Sequence, residues 1–135
     1  MKKIGLNSIC PCSSGIKYKK CCLPYHKGAL PKSALELMRS RYSAYAVNKS
    51  NYIIKTTHPN HLEYSENLRE WKESIESFST HTKFLSLEIL DFVSFENEAF
   101  VTFKAILSSG EMLEKSRFLR VNKIWLYESG EIDLD

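Results

Sequence analysis

The sequence predicts an α+β protein: a small cysteine-bearing knuckle, then three helices packed on one face of a curved, antiparallel, four-stranded sheet. Three observations predict it. All four cysteines of the 135-residue chain fall between positions 10 and 22. Apolar residues then recur at helical spacing from position 33 to 79. From Thr82 onward their period changes to two, as in strands with one buried face.

The knuckle comes first. Cys10-Pro11-Cys12, eight intervening residues and Cys21-Cys22 can bring four thiolates to one point, with Ser13, Ser14 and Gly15 supplying the sharp turn between the pairs. Four thiolates are the ligand set of a closed tetrahedral zinc site, with Zn–S near ~2.3 Å and no open position for catalytic water. Disulfides would need an oxidising compartment. Met1-Lys2-Lys3 resembles the head of a signal peptide, but Gly5, Asn7 and Ser8 interrupt any apolar run behind it. No stretch approaches membrane-spanning length, so no membrane insertion is expected and a reducing, cytoplasmic setting is favoured. Cys10, Cys12 and Cys21 are the firm ligands. Cys22 is the default fourth and His26 its substitute; otherwise His26 is solvated or hydrogen-bonds a thiolate.

The segment from Gly28 to Ser33 reads as a hinge, dividing the chain into a knuckle (1–28) and a main domain (29–135). Ser33-Ala34-Leu35-Glu36 is a capping box that starts the first helix. Leu35, Met38, Tyr42 and Tyr45 form its apolar stripe, and Arg41 stands among Ala34, Leu37 and Ala44, aimed into a polar cavity or snorkelling to water. The helix frays near Asn48-Lys49-Ser50. A short second helix covers 51–55 and ends before His58-Pro59. The third spans 65–79, with Leu68, Trp71, Ile75 and Phe78 on one face and Arg69–Glu73 and Lys72–Glu76 pairs elsewhere. Strands follow at 85–89, 100–107, 112–121 and 124–127. The short joints at Asn97, Ser109-Gly110, Asn122-Lys123 and Ser129-Gly130 make neighbours antiparallel.

Charge is distributed unevenly. Residues 1–35 carry seven lysines and no acid, whereas residues 36–135 carry twelve basic residues against sixteen acidic ones, a net −4. Four thiolates around one Zn²⁺ add −2, so the first segment falls from +7 to +5. Lys17, Lys19 and Lys20 form its basic patch, suited to an acidic protein surface or nucleic acid, or else simply solvated. Only Tyr18 and Tyr25 interleave with it, which argues against stacked bases.

The run Cys10 to Cys22, with Ser13-Ser14-Gly15 and Lys17-Tyr18-Lys19-Lys20 inside it, resembles the SEC-C zinc-binding motif. Pro24-Tyr25-His26, Leu37 to Tyr45, Tyr52 to Pro59, His81-Thr82 and Ser116-Arg117-Phe118-Leu119 resemble the bacterial YchJ family. The resemblance covers almost the whole chain. It implies a cone-shaped, nuclear-transport-factor-2-like fold for the main domain, and it brings no reaction with it. Two features depart from the family pattern. Thr57 stands where a tryptophan usually precedes His-Pro, and no further cysteine follows Cys22, where many members carry a second SEC-C motif.

Cone folds of this kind often enclose a pocket. Arg41, Tyr45, His58, His81 and Arg117 are the candidate pocket residues, with Trp71 and Trp125 as walls, and Asp91 is the one acid on an apolar strand face. None forms a nucleophile–base set, so no catalytic residue is assigned. Plainer roles are open to each: His58 fixing a turn, His81 bonding a backbone carbonyl, Arg117 pairing with a carboxylate. The sequence thus supports a zinc-stapled interaction module first. A small-molecule enzyme or binding protein using the cone pocket, and a nucleic-acid or ribosome-associated protein, are the alternatives. A homodimer stays open.

Overall fold

In the computed structural model, which describes residues 4–133, the cysteine segment folds onto the first long helix. Lys2 and Lys3 of the basic segment, and the terminal Leu134-Asp135, lie outside the described residues. Ile9 and Lys17 form an isolated antiparallel bridge, and the chain turns between them with Ser13 at φ 66° and Gly15 at φ 83°. A 3-10 turn (Tyr18–Lys20) and the short α1 (Leu23–His26) close the knuckle. Next come α2 (Ala34–Ala46), α3 (Ser50–Lys55) and α4 (Leu68–His81). The strands are β1 (Phe84–Ser94), β2 (Glu98–Leu107), β3 (Gly110–Val121) and β4 (Ile124–Asp133). The sheet is an antiparallel meander in the order β1-β2-β3-β4.

The helix starts follow their caps. Ser33 Oγ accepts from Glu36 N at 3.2 Å, as the capping box requires. The third predicted helix begins three residues later than expected. Ser65 Oγ is occupied by Asn67 N (3.1 Å), and Asn67 Oδ1 takes Glu70 N (3.2 Å), so Asn67 is the cap. Arg69 pairs with Glu73 at 3.6 Å, whereas Glu76 accepts from Ser50 Oγ at 3.2 Å. Trp71 and Ile75 are buried, but Leu68 and Phe78 at the ends of the stripe are largely exposed.

β2 alternates without a fault: Ala99, Val101, Phe103, Ala105 and Leu107 all face inward. β1 does not. Register shifts at Phe84/Ser86 and Ile89/Asp91 rotate Leu85 and Asp91 outward, so Asp91 leaves the face of Leu87. The joint expected at Ser129-Gly130 is instead continuous strand, with Ser129 opposite Arg117 and Gly130 opposite Ser116. Asn122 (φ 50°) and Lys123 (φ 67°) make the two-residue β3–β4 turn in the left-handed region that such hairpins need. At the open edge of the sheet, β4 is sewn to the end of α3: His58 N donates to Tyr127 O (2.8 Å) and Tyr127 N to Thr56 O (2.9 Å).

The knuckle shares the core. Cys10, Cys12, Tyr18 and Cys22 belong to the same buried cluster as Leu37, Ile53 and Phe118. Among the described residues, four hydrogen bonds that use a side chain cross from it to the body: Arg39 Nη1 to Cys12 O (2.9 Å), His26 Nε2 to Ser40 O (2.8 Å), Tyr25 Oη to Glu36 Oε2 (2.5 Å) and Leu87 N to Ser13 Oγ (3.0 Å).

Candidate metal centre and cone cavity

The turn at residues 13–15 folds one cysteine pair back over the other. As a result the Sγ atoms of Cys10, Cys12, Cys21 and Cys22 all lie within 4.8 Å of one another. Cys12–Cys21 is 3.5 Å and Cys21–Cys22 is 3.9 Å, and all four thiols are free. Tetrahedral zinc with Zn–S near ~2.3 Å sets its sulfurs about 3.8 Å apart, so the donor set and its spacing fit that ion. Cys10, Cys12 and Cys22 are buried and Cys21 half-buried, with Ser14 Oγ against Cys21 Sγ at 3.1 Å.

Hydrogen bonding inside the cluster couples the sulfurs to one another. Hydrogen bonds from Cys10 and Cys22 hold the Cys12 thiol far below its ordinary range. The reciprocal bond from Cys12, with burial, pushes Cys10 up to about 12, and bonds to Cys10 and Cys12 push Cys22 up as well. Coordination takes cysteine as thiolate, so a divalent ion and protons compete for this cluster.

His26 lies outside the cluster with both ring nitrogens engaged. Its Nε2 meets Ser40 O, which can only accept, so Nε2 carries the proton and Nδ1 accepts from Tyr18 Oη at 2.7 Å. Desolvation lowers its pKa, in keeping with that neutral tautomer. His26 is thus a bridge from the knuckle's Tyr18 to α2. Lys17, Lys19 and Lys20 are exposed on the knuckle's outer surface, beside exposed Ile9 and Ile16.

Between the helices and the sheet lies a cavity of about 980 Å³. Of the pocket residues expected from sequence, Arg41 and Tyr45 line it, as do Trp71 and Thr57. His58, His81, Arg117 and Trp125 are not among its lining residues. His58 Nδ1 accepts from Asn60 N (3.0 Å) and fixes the turn after Pro59. His81 Nδ1 donates to Ser77 O at 2.8 Å. Arg117 is on the outer sheet face, where Nε donates to Glu98 (2.7 Å) and Nη1 reaches Glu128 at 3.3 Å.

The inner face of β3 instead carries Met112, Glu114, Ser116 and Phe118. Glu114 Oε2 accepts from Ser116 Oγ (2.5 Å) and from Tyr127 Oη (3.0 Å). Arg41 stacks its guanidinium over the Tyr127 ring, 4.6 Å from the centroid. Burial, reinforced by the Glu114 charge, keeps the Tyr127 hydroxyl protonated well above the ordinary range. Gly130 is what admits this arrangement, since a Cβ there would meet Glu114 Oε2 and, at 2.6 Å, Tyr127 Oη. Gly130→Ala is therefore expected to displace both groups and lower stability by about 1–2 kcal/mol. Urea unfolding measures this, and an unchanged midpoint would show that Glu114 and Tyr127 are not held in place.

Two family models match. The SEC-C motif covers residues 7–24 and the YchJ middle, NTF2-like domain covers residues 33–130. The chain belongs to the YchJ family. UPF0225 proteins of Sodalis glossinidius and Photorhabdus laumondii are 34% and 35% identical to it, over 93% and 96% of this chain and 84% of each relative. Among solved structures, a SEC-C motif protein from Rhodopseudomonas palustris matches with TM-score 0.75 and 29% identity, over 90% of this YchJ-family chain and 96% of its own. One from Psychrobacter arcticus matches with TM-score 0.75 and 28% identity, over 93% and 83%. An NTF2-like protein of Cytophaga hutchinsonii, 9% identical at TM-score 0.50 over 78% and 92%, shares the fold alone. No helix among the described residues is long and apolar enough to cross a membrane.

Proposed function

We propose that this chain is a zinc-stapled interaction module of a reducing, cytoplasmic compartment. Cys10, Cys12, Cys21 and Cys22 hold one structural zinc, and His26 stands outside the ligand set. Residues 1–28 form the metal-dependent unit and residues 29–135 the body that supports it. The observation that carries the reading is a buried sulfur cluster within a segment whose Ile9, Ile16, Lys17, Lys19 and Lys20 are exposed.

The physical case is one of rigidity and charge. A segment of this size buries too little apolar surface to fix its own shape, and a four-coordinate ion supplies what the core cannot. Once fixed, it holds Lys17, Lys19 and Lys20 in a constant pattern around Ile9 and Ile16. A partner segment that is acidic, with one or two apolar side chains, complements that surface. Four thiolates leave zinc no site for substrate, so the ion serves shape and not chemistry.

The test is binding of a labelled poly-glutamate peptide to the zinc-loaded chain, with poly-uridine RNA alongside. The triple variant Lys17→Glu, Lys19→Glu, Lys20→Glu is expected to keep its zinc and lose about tenfold in peptide affinity, a loss that shrinks as salt is raised. Peptide binding untouched by charge reversal would sink the proposal, and tighter, equally salt-sensitive binding of the RNA would replace it with a nucleic-acid role.

A further inference from the structure

The cone cavity contains two buried ionic groups of opposite sign. Arg41 and Glu114 are each only 8% exposed, and both line the space. Among the described residues, the ion pairs within 4.0 Å are Arg69–Glu73, Arg117–Glu98 and Arg117–Glu128. Arg41 and Glu114 enter none of them, with each other or with anything else. A buried charge without a counter-charge is costly, and proteins keep such groups where something else completes them.

Each group keeps part of its bonding capacity toward the cavity. Arg41 makes all three of its hydrogen bonds from Nη1: to Ile53 O (3.0 Å), Thr56 Oγ1 (2.7 Å) and Thr57 Oγ1 (3.1 Å). Its Nη2 and Nε donate to no described residue, and a guanidinium edge of that kind takes a carboxylate in bidentate fashion. Glu114 receives both of its hydrogen bonds, from Ser116 and Tyr127, on Oε2. Oε1 accepts from no described residue. Tyr127 joins the two groups, with its ring beneath Arg41 and its hydroxyl on Glu114.

The rest of the cavity decides between ligand classes. Tyr45, Trp71, Phe84, Phe103 and Phe118 give it a broad aromatic wall, suited to an apolar body. Of its remaining charged lining residues, Glu63 and Glu70 are exposed to solvent and Glu128 is already paired with Arg117 at 3.3 Å, so Arg41 and Glu114 are the charges left to a ligand. A plain carboxylate on Arg41 would leave Glu114 without a counter-charge, which favours a ligand that brings a positive charge with it. A plain amine, however, would leave Arg41 without a counter-charge.

We infer that the cone cavity binds a small molecule of the amino-acid class: an apolar, aromatic body with a zwitterionic head, its carboxylate on Arg41 and its ammonium on Glu114. The site needs neither the metal nor the lysines of the knuckle, so its success or failure is separable from theirs.

Three matched probes test it on the full, zinc-loaded chain: tryptophan, indole-3-propionate, which lacks the ammonium, and tryptamine, which lacks the carboxylate. Titrations followed by backbone amide NMR are expected to show tryptophan binding at least about tenfold tighter than either partner compound. Shifts should concentrate around Arg41, Glu114 and Tyr127. Glu114→Gln retains an oxygen for Ser116 and Tyr127, and is expected to weaken tryptophan about tenfold while leaving indole-3-propionate unweakened. Arg41→Met completes the set if it folds; Glu114→Gln decides the matter if it does not. The inference is overturned if either single-charge probe binds as well as tryptophan, if none of the three binds at millimolar concentration, or if Glu114→Gln binds tryptophan as the parent does.

Discussion

Stripping zinc from the loaded chain is expected to remove native order from residues 4–28 and lower the melting temperature of the remaining cone by roughly 10 °C. The first effect follows from coordination: structural zinc in small motifs contributes about 10–16 kcal/mol of apparent folding free energy near neutral pH. The second follows from the contacts the knuckle makes with the body. Glu36, Arg39, Ser40 and Leu87 each bond a knuckle residue, and those four bonds go when it unravels. At about 1 kcal/mol net for each bond, and roughly 3 °C per kcal/mol for a domain of this size, the shift is roughly 10 °C. Cys12→Ser should reproduce it, because a hydroxyl does not replace a buried thiolate ligand. Elemental analysis of reduced protein should find about one zinc per chain, and the ion should be lost on acidification as protons compete for the sulfurs. Hydrogen exchange and thermal melts, with and without chelator, read out both effects. A knuckle as protected after chelation as before it would show that packing alone folds it.

The sulfur cluster is legible in the sequence because its information is local. Cys10 and Cys12 are separated by one residue, Cys21 and Cys22 by none, and a turn at Ser13–Gly15 must bring the pairs together. The placement of His26 is not local. It turns on a backbone carbonyl of α2, Ser40 O, which engages His26 Nε2 from fourteen residues away. No spacing rule contains that contact.

The fold was legible wherever period and cap agreed, as at Ser33 and along β2. It blurred where a short-range side-chain bond or a bulge intervened. Ser65 looks like a helix start until its hydroxyl is seen capturing Asn67 N. Ser129-Gly130 looks like a turn, yet the glycine serves to make room for Glu114 and Tyr127 inside a continuous strand. Arg41 is legible as a pocket residue, whereas the place of Glu114 in the cavity is hidden by parity. β3 carries apolar residues on both faces, with Met112 and Phe118 on one and Leu113 and Leu119 on the other, so alternation alone does not say which side is inside. Arg117 therefore reads equally as a pocket residue or as the partner of a carboxylate, and its pairs with Glu98 and Glu128 show the second. Pairing with β2 and β4 settles the matter, and that is tertiary information.

Arg41→Ala is expected to destabilise the chain by about 3 kcal/mol. The side chain joins three elements at once. From α2 it donates to the carbonyl of Ile53 in the last turn of α3, and to the hydroxyls of Thr56 and Thr57 just beyond it. Its flat face covers Tyr127 of β4, whose backbone is already bonded to Thr56 and His58. Removing it leaves hydroxyl oxygens short of a donor, uncovers the aromatic face and opens a void in the wall, with costs of about 1 kcal/mol apiece. Arg41→Lys separates charge from geometry. A single ammonium keeps the charge near the α3 carbonyls but has neither the planar face for Tyr127 nor the reach of the guanidinium, so it should recover about half the loss. Urea denaturation with a constant m-value measures both variants. A lysine variant as stable as the parent would mean that charge alone matters here. An alanine variant within about 0.5 kcal/mol of the parent would mean that α3 and β4 are held together without Arg41, by their backbone bonds at Thr56, His58 and Tyr127.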